Sequence, residues 1–171
     1  MTTDAAARSR AVTLPLPAPL LEPRRPALAI AVGWATAFFP SLLLGALLQG
    51  VMPDAARPEF NVSGLAAIGA LVLFAPIVET LIMGAVLLIL LRLVSPTWAV
   101  ILSAIGWGLA HSSFAPVWGL VIWWPFLVFS TLFVVWRQRS LLAAFAVPAI
   151  VHALQNLGPA LLIASGQVAG S

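Results

Sequence analysis

The sequence predicts an all-α protein, a polytopic transmembrane bundle of about five helices. Three observations predict it. About 62% of the 171 residues are hydrophobic and 8% charged, against about 25% charged in an ordinary soluble domain. Apolar runs of about 20 residues, the length needed to cross a hydrocarbon core, recur along the chain. The arginines cluster at the ends of those runs. A soluble globule of this size is excluded because too little polar surface exists to cover it, whereas lipid asks only for apolar outer faces and internally paired backbone. The chain has no cysteine, which removes disulfides, thiolate metal sites and cysteine nucleophiles. All eight basic residues are arginine. Their spread among segment ends makes the net charge of +3 a topology signal, with the lipid bilayer as partner and no nucleic acid.

Residues 1–26 hold Arg8, Arg10, Arg24 and Arg25 with Pro15, Pro17, Pro19, Pro23 and Pro26 among them. The prolines forbid a continuous helix, so this stretch reads as a disordered cytoplasmic tail and not as a cleaved signal peptide. Residues 27–171 read as one transmembrane helical domain. The first crossing is expected from about Leu28 to Val51. A polar link with Asp54, Arg57 and Glu59 follows, then a long run from about Val62 to Val94, tilted or broken at Pro76. Arg92, Ser95 and Pro96 end it. A third segment covers about Thr97 to Ser113 before Pro116, a fourth about Val117 to Trp136, and a fifth about Leu141 to Ala164, after Arg137 and Arg139.

With five crossings, seven arginines share the side of the N-terminus and only Arg57 lies opposite. An excess of Arg marks the cytoplasmic side, so a multi-pass cell-membrane protein with a cytoplasmic N-terminus is expected. Trp34, Trp98, Trp118 and Trp136 fall near segment ends, where indole rings favour the interface.

Away from segment ends, the crossings hold Glu79, His111 and His152, with Asn156 one turn beyond His152. An ionisable residue in mid-membrane costs on the order of 3 kcal/mol and normally faces the bundle interior and a partner. Glu79 lies 13 residues before Arg92 and His152 lies 13 after Arg139, which places both roughly 20 Å from that side. His111, 15 residues past Pro96, is roughly 22 Å up. Three helices that carry their strongest polar groups in one layer imply one shared site. Pro76 and Pro148 precede Glu79 and His152, and by α-helical geometry they free the carbonyls of Val72 and Ala144.

APIVETLIMGA at Ala75 to Ala85, WGLAH at Trp107 to His111 and HALQN at His152 to Asn156 occur in that order. They resemble the CAAX protease and bacteriocin-processing family, whose motifs are written EExxxR, FxxxH and HxxxN/D, over a core of about residues 65–162. Thr80 stands where the second glutamate is expected, Gly84 where the arginine is, and Trp107 in place of the phenylalanine. The acid and the arginine are lost together, so neither is left as an unpaired buried charge. The resemblance implies an intramembrane endopeptidase that hydrolyses a membrane-associated protein or peptide. It further implies that Glu79 with His111 activates a water, that His152 and Asn156 stabilise the oxyanion, and that no cofactor takes part.

Other readings stay open. Glu79, His111 and His152 could instead hold a zinc ion, since three protein ligands and a water make a catalytic site. Ser112 and Ser113 adjoin His111 but do not face it on a helix, which disfavours serine catalysis. A catalytically silent member acting as membrane scaffold, regulator or immunity protein is the alternative motivated by Thr80 and Gly84. A proton-coupled carrier is a third class.

Overall fold

The computed structural model describes residues 11–167. Among them are six helices and no strand: α1 Ala18–Leu21, α2 Pro26–Val51, α3 Gly64–Leu90, α4 Pro96–Ser112, α5 Gly119–Trp136 and α6 Leu141–Ala164. The helix starts follow local chemistry. Pro26 and Pro96 open α2 and α4, where a missing N–H costs nothing and φ is already set. The Ser140 hydroxyl accepts from the Ala143 amide at 3.0 Å and caps α6. Gly64 opens α3 with φ +53°, a conformation that strains any residue with a Cβ.

Four helices, α2, α3, α5 and α6, are long and apolar enough to cross a membrane. The third expected crossing is present as α4, but its 17 residues rise only about 26 Å at 1.5 Å per residue. The five expected crossings are thus four long spans and one shorter helix that packs along α5.

α5 is the centre of the bundle. Of its spanning window 72% is buried, against 22 to 28% in the other three long helices, whose free faces carry exposed apolar side chains. Because lipid tails are as apolar as leucine, close packing and hydrogen bonds hold such helices together instead of the hydrophobic effect. The sequence supplies both. The buried residues of α2 are Ala29, Gly33, Ala37 and Ser41, small side chains four apart that form a single stripe and let its backbone approach its neighbours. Ser130 donates to Ser103 at 2.9 Å across α4 and α5. α2 and α3 do not pack on one another among the described residues; both rest on α6.

Two prolines inside helices are answered from other helices. Pro40 removes the donor for Thr36 O, and the indole of Trp124 on α5 supplies one at 2.7 Å. α3 runs on through Pro76 by widening into π-helical turns over Gly69–Phe74, where the Ala75 amide bonds to Ala70 O. In that register proline deprives the fifth carbonyl back, Leu71 O, and not Val72 O as α geometry predicts. The Asn156 amide on α6 donates to Leu71 O at 3.0 Å.

Two expectations need correction. Residues 11–25, read as part of a disordered tail, pack beneath the bundle: Val12 and Leu20 are buried, and Thr13 bonds to Thr97 through its amide at 2.9 Å. Prolines prevent a long helix here, yet they leave an extended strap whose apolar side chains still find partners. The first ten residues of the expected tail lie outside the described residues. Among the tryptophans, Trp98 is exposed as expected of an interface anchor, but Trp136 is a core residue at 1% exposure. Trp118 is half-buried and lies beside His111, with ring centroids 4.8 Å apart.

Candidate active site

Glu79, His111, His152 and Asn156 all line one cavity of about 330 Å³. α3 contributes Glu79, α4 His111 next to its C-terminus, and α6 His152 and Asn156 on successive turns. The helices bring these groups together because each is the strongest polar group on an otherwise apolar span, and each avoids lipid only by facing inward.

Glu79 stands next to His152, with its Oε2 3.7 Å from Nε2. That separation is longer than a hydrogen bond and within the range over which catalytic contacts tighten when a complex forms. The His152 side chain is 5% exposed and that of Glu79 26%, so the carboxylate looks into the cavity past a sealed imidazole. Nδ1 of His152 is buried with no partner. Its proton therefore belongs on Nε2, where the carboxylate can accept it.

The tautomer of His111 follows from its neighbour. Nδ1 lies 2.9 Å from Trp107 O, and a carbonyl only accepts, so Nδ1 carries the proton and Nε2 of the neutral ring is an acceptor. The Phe126 ring touches both imidazoles, at 5.6 Å from His111 and 5.4 Å from His152, and Phe129 stacks on His152 at 4.7 Å. Glu79 is thus the immediate neighbour of His152, whereas the pairing implied at the outset was with His111. Among the described residues no three His, Cys, Asp or Glu side chains gather closely enough to share a metal ion.

Asn156 holds Leu71 O with one amide hydrogen, which leaves its second for the cavity. The sequence reading missed the aromatic wall of Phe38, Phe60, Trp118, Phe126 and Phe129, together with Ser41 and Gln155, which also line the space. Gln155 was legible as a polar residue beside Asn156; the aromatics carried no signal, since apolar residues in a membrane chain look alike whether they face lipid or a cavity.

Thr80 and Gly84 point away from this cavity into the packed interior. A Cβ on Gly84 would overlap the rings of Phe133 and Phe145, which meet edge to face with centroids 5.0 Å apart. Aromatic packing fills the volume an arginine would need. Gly84→Ala is expected to destabilise the protein by about 1–3 kcal/mol through overpacking, checked by thermal unfolding in detergent. An unchanged midpoint would mean that these rings move freely.

A family model described as type II CAAX prenyl endopeptidase Rce1-like matches residues 61–158, a stretch that contains all four cavity residues. No curated protein and no solved structure matches the chain.

Proposed function

The chain belongs to the Rce1-like family of type II CAAX prenyl endopeptidases, and from that membership we propose an intramembrane endopeptidase that hydrolyses a peptide bond in a membrane-associated protein or peptide by a metal-free glutamate mechanism. We place it in the cell membrane with its N-terminus in the cytoplasm, a reading that the arginine distribution supports. The observation that carries the reading is the half-buried Glu79 carboxylate, 3.7 Å from a buried imidazole and open to a cavity that also holds His111 and Asn156.

Glu79 takes a proton from a water, and the oxygen attacks the scissile carbonyl carbon. His111, with Nδ1 committed to Trp107 O, has Nε2 free to share that proton. Once Glu79 has taken the proton its hold on Nε2–H of His152 weakens, and that hydrogen and the second amide hydrogen of Asn156 donate to the oxyanion as charge develops, the point at which positioned donors matter most. When the C–N bond breaks, the proton held by Glu79 passes to the leaving amine, and a carboxyl and a free amine result.

The test is reconstitution in vesicles with a library of membrane-anchored peptides, with new N-termini read by mass spectrometry. Wild-type protein should generate termini that empty vesicles lack, at a rate unchanged by a zinc chelator. Abolition by the chelator would remove the metal-free mechanism, and no new termini across the library would remove the protease. In that case the second reading, a silent member that binds without cleaving, is favoured by Thr80 and by the ring-filled volume at Gly84.

A further inference from the structure

The cavity lies toward the end of the bundle opposite Arg24, Arg25, Arg92, Arg137 and Arg139. The five longer helices line the cavity from about their middle, where Glu79, Phe129 and His152 sit, to the end that lies away from their arginines. α2 does so through Ser41, late in a helix that begins after Arg24 and Arg25, and α3 through Leu71, early in a helix that ends before Arg92. α5 lines it near Val121 and α6 near Ile163, each far from the link that carries Arg137 and Arg139. The same is true of the loops. Pro58 and Phe60, in the link after α2, form part of the wall, and Phe60 packs edge to face on Trp118 at 5.9 Å.

The arginine end is closed. From Pro125 to Trp136 every residue of α5 is buried, so among the described residues no channel runs along the central helix toward Arg137. Beside it, Leu20 of the strap is fully buried. At Gly33 the packing is tight enough that an added Cβ would stand 3.2 to 3.4 Å from Leu132, Leu20 and Val151 together. Strap, α2, α5 and α6 therefore meet in one plug, and a substrate from the arginine side would have to dismantle it.

We propose that the site is loaded from the arginine-poor face, which the positive-inside rule makes the extracytoplasmic face. The substrate class is then a peptide or protein segment presented at the outer surface of the membrane, after export, and not one delivered from the cytoplasm. That face also carries Asp54, Arg57 and Glu59 in the exposed link at the cavity rim, so a polar flank of the substrate meets charges of both signs while its apolar part meets the aromatic wall. The word substrate rests on the protease reading; the side of access does not.

The natural absence of cysteine makes the test direct. Single-cysteine variants Ala56→Cys in the exposed link, Val121→Cys at a half-buried position of the cavity wall and Gln138→Cys in the arginine link are made in the full chain and placed in right-side-out membrane vesicles. Each is treated with a small membrane-impermeant thiol reagent, before and after the vesicles are opened. Ala56→Cys and Val121→Cys should react in sealed vesicles, and Gln138→Cys only once they are opened. Labelling of Gln138→Cys in sealed vesicles overturns the orientation. Labelling of Val121→Cys only after opening overturns access from outside, and so does a Val121→Cys thiol silent in both states, since a site closed to aqueous reagent is loaded from lipid. The same pattern in a Glu79→Gln background separates the two claims: access would stand even where cleavage is never found.

Discussion

Glu79→Gln is expected to reduce turnover by about 10²- to 10⁴-fold, the range for loss of a positioned general base, with little change in stability. Glutamine keeps the volume of the side chain and can still place an oxygen toward Nε2 of His152, now 3.7 Å from the carboxylate. What it loses is the capacity to take a proton from water. The measurement is kcat on a substrate identified in vesicles, with the unfolding midpoint as control. Because the carboxylate reaches the cavity and is only half-buried, its exchange leaves no orphaned partner beyond His152. Retained turnover in a folded variant would end the glutamate mechanism.

Asn156→Ala is expected to cost about 10²- to 10³-fold in kcat as an oxyanion donor, and separately about 1 kcal/mol of stability, because the part-buried Leu71 O loses its partner. The two losses are separable. In the Asn156→Ala background, Pro76→Ala returns a backbone N–H to the position that faces Leu71 O in the π-helical turn. Stability should recover while turnover stays low. Recovery of both would show that the amide only holds α3 in shape and so presents Glu79 correctly; recovery of neither would mean that the turn does not need Leu71 O satisfied.

The long helices could be read from composition because a membrane span announces itself by length and because the arginines and prolines between the runs, such as Arg92 and Pro96, mark where one ends and the next begins. Placement of Glu79, His111, His152 and Asn156 around one space was legible for a related reason: in lipid a polar side chain has few places to go. Packing was not legible. In water, apolar periodicity reveals the buried face; in a bilayer both faces are apolar, so nothing in GLVIWWPFLVFSTLFVVW distinguishes the central helix α5 from its lipid-facing neighbours. The small-residue stripe Ala29, Gly33, Ala37 and Ser41 was a readable sign of close approach and went unused. The shift of the freed carbonyl from Val72 to Leu71 could not be foreseen, because it depends on the π-helical turn, which local sequence does not specify. The strap of residues 11–25 was obscured by its prolines, which argue against helix without arguing against contact.

The lack of direct packing between α2 and α3 has a consequence for the bilayer itself. α2 has 26 residues, about 39 Å of helix at 1.5 Å per residue, against a hydrocarbon thickness of about 30 Å, an excess taken up by leaning. A thinner leaflet pair makes it lean further, a thicker one stands it upright. Phe38, Ser41 and Leu42 ride on this helix and Glu79 on its unattached counterpart, so bilayer thickness bears on the cavity wall through the lean of one helix alone.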